Sequence, residues 1–423
     1  MKKILLCAAI FAAAVIFSLP VFFAGRRQRL GPPAAPEALK LSVFSYRTSG
    51  QSDSALDSLL SDFTKEYPEI KIDYDAAGSK SEYAAVLKEK IKSGSLDDVF
   101  AYIGSVSSLQ DSAEDLSKQD FSMGLPYDIQ RFVSQRGKIF SFPLELGTCG
   151  LFVNMSILRE HNINSAPKNY KEFINDCARL AYDNIIPIDA DCDSIAPAPE
   201  VIAAARSLAP LYAKGRPDFK PYAEGRKSFG ELLKPGLLAV RELSERGFWK
   251  PRDVLNSASH RATINDFAGG TVPFAFGGTW QLSELTEADA KFDFLFIPLP
   301  LADDNSTLLL RTVLSFSVNT ISENKSAAIK FMQYISKPSR VKKFAEDKNS
   351  LDPYKKEKSS SPLLKNVTDA VKNGAFICCD TGSDFAWDPA PVIAKAANIV
   401  AAGGTVEDAM AAADSMQLAR LTR

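Results

Sequence analysis

Between Leu39 and Ile103 the hydrophobic pattern switches repeatedly between the strand period and the helix period, and few architectures accept that alternation. Residues 39–45 (LKLSVFS) read as a strand. Leu56, Leu59, Leu60 and Phe63 then fall at i, i+3, i+4 and i+7, a helical face that Asp53 can cap and Pro68 stops. Ile70, Ile72 and Tyr74 alternate with Lys71 and Asp73 as in a half-buried strand. Tyr83, Leu87 and Ile91 line one face of a helix from Ser81, and residues 99–103 form a further apolar strand. The order β-α-β-α-β predicts an α/β sheet with crossover helices.

The same grammar continues downstream. Residues 138–143 (KIFSFP) and 150–154 (GLFVN) read as two strands, followed by a helix over 170–182 and a strand near 185–188. Helices are expected over 201–212 and 228–246, strands at FDFLFIPLP and TVLSFSVN, and helices over 327–335 and 341–346. Residues 355–361 (KKEKSSS) read as a polar surface loop, and the chain from Ala390 as alanine-rich helix interrupted at Gly403-Gly404. At 423 residues and 46% apolar, the chain can build about two to three domain-sized units. Its 50 basic and 51 acidic residues give no global attraction to nucleic acid or to an anionic membrane surface.

The N-terminus carries Lys2-Lys3, an uncharged run over 4–25, the patch Arg26-Arg27-Gln28-Arg29, and a Pro/Ala linker to residue 37. Residues 1–25 therefore read as a signal peptide or a membrane anchor, with 26–37 as linker. Cleavage after Ala24 places Phe22 where a small residue is wanted, so an uncleaved anchor stays open. Cys7 lies inside the apolar run, too near the start for lipid attachment. Either reading puts the body outside the cytoplasm, periplasmic or at the cell surface. Cys149, Cys177, Cys192, Cys378 and Cys379 are odd in number, so at least one thiol is free or pairs between chains. With no CxxC and only His161 and His260, the chain offers no Cys/His zinc pattern.

Residues 267–282 (FAGGTVPFAFGGTWQL) carry a turn at Gly269-Gly270, a short strand containing Pro273, and a second glycine pair, Gly277-Gly278, one residue before Thr279-Trp280. Thr279 can cap a helix, Gly278 leaves room for a close approach, and Trp280 offers a flat apolar face with one donor. Two readings stand: a capped helix whose Trp fills the core, or a ligand-facing turn.

Five stretches in order resemble one family, the extracellular solute-binding proteins of family 1, which are maltose-binding-protein-like receptors of ABC importers. They are LLSDFTKEYPEIKIDY; SEYAAVLKEKIKSGSLDDVFAY; GKIFSFPLELGTCGLFVNMSILREHNIN with KNYKEFINDCARL; FAGGTVPFAFGGTWQL; and LSFSVNTISENKSAAIKFMQYIS. The resemblance runs from about Leu39 to the C-terminus. It implies a two-lobed periplasmic-binding-protein fold of the α/β class, with strand crossovers between the lobes and an interlobe ligand cleft. Lobe one would be residues 38–145 plus 312–350 and lobe two 146–311 plus 351–423, with crossings near 145–150, 311–315 and 350–354.

The resemblance also places ligand-binding residues. Trp280 matches the Trp that follows the family's glycine pair and stacks on sugar rings, with Gly278 and Thr279 beside it. In GLFVN the family's aromatic position is Val153, and Phe152 is its neighbour, which strand alternation turns to the other face. Trp387 lies where relatives supply another aromatic, and Tyr46, Arg47, Tyr102, Gly104 and Ser105 match cleft-lining loops. Glu145, beside a crossing, reads as a hydroxyl acceptor or a hinge ion-pair partner. Asp191 and Asp193 fall in a loop at the cleft edge. Asp189, Asp191, Asp193 and Glu200 also have calcium-loop spacing, but Ser194 stands where the loop needs Gly, and Pro197 and Pro199 disturb its return. Asp98 reads as a turn-fixing residue and Trp249 as structural.

Sugars need aromatic platforms and planar side chains that bind hydroxyls in pairs. The expected function is thus a non-catalytic receptor, acting as a monomer, that captures a sugar or oligosaccharide and presents it to ABC permease subunits, with no cofactor, metal or nucleic acid. The alternatives are a membrane-tethered ligand sensor, a receptor for another solute such as a polyamine or metal, and a carboxylate-dependent hydrolase. Against the hydrolase, the chain contains no GxSxG and no HExxH.

Overall fold

The computed structural model describes residues 38–46, 54–78, 80–103, 109–135, 137–189, 197–212, 218–249, 262–288, 290–354, 362–372, 376–378 and 387–421. The expectations for residues 1–37, Arg47, Asp53, Gly104, Ser105, Asp191, Cys192, Asp193, the loop 355–361 and Cys379 lie outside these. Ala38–Arg423 form one unit, and both hydrophobic cores are built from residues inside it. Among the described residues no helix is long and apolar enough to cross a membrane.

The strands are β1 (Leu39–Tyr46), β2 (Ile70–Ala77), β3 (Val99–Ala101), a small hairpin of β4 (Ser134–Gln135) and β5 (Lys138–Ile139), then β6 (Phe142–Asn154), β7 (Ile188–Asp189), β8 (Phe274–Gly278), β9 (Phe294–Ile297), β10 (Leu308–Val318) and β11 (Phe376–Cys378). All but the hairpin join one sheet in the order β2-β1-β3-β10-β6-β8-β7, with β9 also on β6 and β11 also on β10. The first part is the β-α-β-α-β unit expected from its periodicity. β1 pairs in parallel with β2 and β3, and the intervening helices are Ser54–Glu66 and Lys80–Ser93. The helical stripe Leu56, Leu59, Leu60 and Phe63 is the buried face.

Two strands are much longer than the rest, and they join the halves of the molecule. β6 and β10 run antiparallel. The C-terminal half of β10 pairs with β3 at Phe316–Val318, and its N-terminal half pairs with β11 at Leu308–Leu310. The C-terminal half of β6 pairs with β8 and β9. The fold therefore has two lobes sharing a pair of crossing strands. One core gathers around Val43, Phe63, Tyr83, Phe100, Phe142 and Phe331. The other gathers around Leu151, Phe173, Val201, Leu237, Phe276 and Val392.

The structure corrects several strand boundaries. The expected strands at 138–143 and 150–154 are divided differently: Lys138–Ile139 is β5 of the hairpin, and β6 is continuous from Phe142 to Asn154, buried along its whole length. Its glycines mark close approaches, not strand ends. A Cβ at Gly150 would lie 2.5 Å from the Phe296 ring, and pairing on both edges outweighs glycine's entropic cost. β10 begins at Leu308, earlier than its sequence pattern suggests, and β9 and β7 are shorter.

On the second lobe the helix Phe229–Glu245 starts from Ser228, whose hydroxyl caps the N–H of Glu231 at 2.9 Å. The C-terminal helix Val406–Leu421 braces this turn, because Asp414 accepts from the Ser228 hydroxyl and from the N–H of Gly230. Trp249 is structural as expected, buried with its indole N–H donating to Ser244 at 2.9 Å. Cys177 is a buried free thiol, and burial pushes its pKa well up.

In the helix Tyr170–Tyr182, burial and then the neighbouring Glu172 charge push the Asp176 carboxyl up to about 6, against a smaller opposing pull from Arg179. A carboxyl raised on folding binds more protons when native, so its favourable contribution is lost as pH rises from about 4 through about 6. Asp176→Asn is expected to stabilise the protein by about 1 kcal/mol at pH 7, after allowance for solvent screening, and to give almost no gain near pH 4. Urea unfolding at the two pH values checks this.

Candidate functional site

Parallel strands of an α/β sheet place ligand-binding loops beyond their C-terminal ends. In the first lobe β1 ends at Tyr46, and β3 ends at Ala101, beyond which the N–H of Tyr102 donates to the carbonyl of Ser315 at 2.8 Å. In the second lobe β7 and β8 are parallel, and β8 ends at Gly278 opposite Cys149 of β6. Strand ends of both lobes thus converge on the same part of the crossing: residues 145–148 of β6 and residues 311–314 of β10.

β10 is irregular here, with its register shifting on either side of Leu314. Such a bulge re-aims side chains and backbone. The carbonyl of Val313 accepts a hydrogen bond from the Tyr46 hydroxyl. Tyr46 is buried, its ring 5.2 Å from that of Tyr83, whose own hydroxyl donates to the Ala101 carbonyl at 2.6 Å. Tyr46, expected to line a cleft, ties the end of β1 to the bulge. Tyr102 is half-buried, and the Ser315 hydroxyl donates to its carbonyl at 3.1 Å.

The second lobe delivers the turn Thr279–Gln281. Thr279 is not the cap expected from the sequence. Gly278 takes that position, and its N–H donates to Gln281 Oε1 at 2.9 Å. Thr279 is already inside the turn, and its hydroxyl faces β6, where it accepts from the N–H of Thr148 at 3.3 Å. The indole of Trp280 folds back over Gly278, where a Cβ would lie 2.2 Å from the ring, and is 6% exposed. Gly278 therefore makes room for Trp280 itself. The indole also borders Gly147, whose Cβ would stand 3.1 Å from its Cε3.

Charged groups complete the crossing. Glu145 is wholly buried on β6 opposite Leu314. Arg311 stands opposite Gly147 and binds Glu200 at 2.7 Å, with the two side chains 11% and 10% exposed. Glu200 lies in the first turn of the helix Ala198–Tyr212. Glu200, the last position of the calcium-loop spacing, is thus engaged by a guanidinium. Among the described residues no cluster of His, Cys, Asp or Glu could hold a metal ion.

Two further expected aromatics have aromatic neighbours. Phe152 is fully buried between Phe296 and Phe267, with ring centroids 4.6 and 5.6 Å away, so its faces are taken by the core. Trp387 is half-buried on the helical layer, edge-on to Phe229 at 5.1 Å, with the Arg420 guanidinium 5.7 Å above its ring. Asp98, just before β3, bonds to two neighbouring segments. It accepts from the N–H and hydroxyl of Ser42 and from the hydroxyl of Ser322, joining β1 to the segment after β10.

Sequence reasoning missed Arg311 and the Glu200 partnership. The available signal was a single charge in the buried run LLLRTVLSFSV. Trp280, Glu145 and the Arg311–Glu200 pair thus lie around the crossing, all of them wholly or nearly buried.

A search of curated protein sequences returns no match. Solved structures match over nearly the whole chain. A family 1 extracellular solute-binding protein from Bifidobacterium longum subsp. infantis matches with TM-score 0.70 and 20% identity, over 91% of this chain and 100% of that one. A sugar transporter structure from Bacillus licheniformis, in complex with stachyose, matches with TM-score 0.68 and 17% identity, over 89% of this chain and 99% of the other. The binding protein RafE in complex with raffinose gives TM-score 0.67 and 17% identity, over 91% of this chain and 100% of that one. At these identities the likeness concerns the fold. The family model for bacterial extracellular solute-binding proteins matches residues 47–340, most of the chain, and the protein belongs to that family.

Proposed function

We propose that this protein captures a sugar or oligosaccharide outside the cytoplasm, in the cleft over the β6–β10 crossing, and presents it to an ABC importer without chemical change. The supporting observation is the convergence of strand ends from both lobes on a segment that carries Glu145 and Arg311, against which Trp280 packs and to which Glu200 pairs. The stachyose and raffinose complexes of the same fold support the ligand class.

In this reading lobe one comprises residues 38–145 plus 312–350 and lobe two residues 146–311 plus 351–423. The bulge in β10 and the bridge between Leu146 and Leu351 lie at those boundaries. A ligand touching both lobes stabilises the closed arrangement by its difference in affinity for the two states.

A thermal-shift screen of residues 38–423 against oligosaccharides, polyamines, amino acids and metal salts tests the ligand class. A sugar present at about a hundred times its Kd is expected to add about 2.7 kcal/mol of stability, read as a higher Tm. A shift with amines or metal salts and none with any sugar would overturn the sugar assignment.

A further inference from the structure

We propose that Gly147 and Val313 are positioning residues that couple the Trp280 indole to the angle between the lobes. The inference rests on reading the crossing as the ligand site, and it adds a mechanical link between that site and the hinge.

Three groups fill the space that a Cβ of Gly147 would occupy. A Cβ there would lie 2.6 Å from Val313 Cγ2, 2.9 Å from Thr279 Oγ1 and 3.1 Å from Trp280 Cε3. They come from two different elements, the bulge of β10 and the turn after β8. The Trp280 ring also occupies the space where a Cβ of Gly278 would stand, so its placement depends on two glycines and on what else leans on Gly147.

Val313 reaches both lobes. Its carbonyl is held by the Tyr46 hydroxyl at the end of β1, in the first lobe. Its side chain lies on Gly147 beside the Trp280 turn, in the second. Rotating one lobe against the other about the crossing strands must either stretch the Tyr46 bond or move Val313 across Gly147. Close-packed contacts of this kind change by switching between arrangements, not by gradual yielding. A displacement at Val313 is therefore felt at Trp280, and a ligand that shifts Trp280 pushes on Val313.

The test uses residues 38–423 with no sugar present. The readouts are the radius of gyration from solution X-ray scattering and the emission of Trp280, isolated by subtracting the matching Trp280→Phe spectrum in each background. Gly147→Ala wedges a methyl group on the Trp280 side of the crossing. It is expected to shift Trp280 emission to longer wavelength and to increase the radius. Val313→Ala removes the nearest colliding atom, and is expected to decrease the radius when made alone and to restore both readouts when added to Gly147→Ala. Tyr46→Phe is expected to move radius and emission together.

A change in Trp280 emission with an unchanged radius in these variants would overturn the coupling, as would failure of Val313→Ala to restore the double variant. If Gly147→Ala does not fold, Val313→Ala and Tyr46→Phe decide the matter alone, since an unchanged radius in both contradicts the proposal. Failure of the sugar reading shows separately, as the absence of any sugar-induced thermal shift in the wild-type protein.

Discussion

Replacing Arg311 with methionine is expected to cost about 3–5 kcal/mol of stability, the range for removing one partner of a buried ion pair. Arg311 and Glu200 meet at 2.7 Å with only 11% and 10% of their side chains exposed. Methionine fills much of the arginine stem's volume, so the loss is chiefly electrostatic: the Glu200 carboxylate stays buried without this guanidinium. Glu200→Gln should also be destabilising, because it leaves the always-charged Arg311 guanidinium buried without the Glu200 carboxylate, and the double variant Arg311→Met with Glu200→Leu should recover most of the loss, as apolar replacement of buried pairs commonly does. Urea unfolding midpoints of the four proteins measure the coupling. Equal and additive losses from both single changes would show that the pair does not act as a unit.

Trp280→Ala carries the second large effect. Truncating a buried Trp to Ala costs about 3–5 kcal/mol, and Trp280, 6% exposed between Gly278 and Gly147, meets that description. If its ring also meets the ligand, sugar affinity should fall by about tenfold or more, roughly 1.4 kcal/mol in binding. Trp280→Phe separates the two roles, since it keeps an apolar ring in the slot while removing the indole's second ring and its donor. A Tm close to wild type with weakened sugar binding is the expected result. Unchanged sugar binding in Trp280→Phe would make the indole a packing element alone.

The first lobe was readable because its periodicities are local. The stripe at Leu56, Leu59, Leu60 and Phe63 and the alternation through Ile70, Ile72 and Tyr74 specify helix and strand without reference to distant residues. The crossing was less readable, because it depends on pairing between segments more than 150 positions apart. ELGTCG resembles a break until β10 is laid beside it, and Gly147 then proves to be the surface on which Val313 and Trp280 rest.

The candidate residues divide along the same line. The glycine pair singles out Trp280 in the sequence as a candidate, and the structure shows that Gly278 makes room for its ring. Phe152 was drawn into the core by Phe267 and Phe296, neighbours contributed by other segments. Arg311 was passed over because a charge in a strand acquires meaning only from its partner, here at the start of a helix 111 positions away.

The most direct test is solution X-ray scattering of residues 38–423 during titration with raffinose, stachyose, mannotriose and chitin oligosaccharides. A receptor that holds a sugar between its lobes predicts that the radius of gyration falls saturably with at least one of them, and that the fall is reduced in Trp280→Ala. A scattering curve unchanged at saturating concentrations of every sugar, under conditions where an amine or a metal salt does compact the protein, would contradict a sugar-closing cleft.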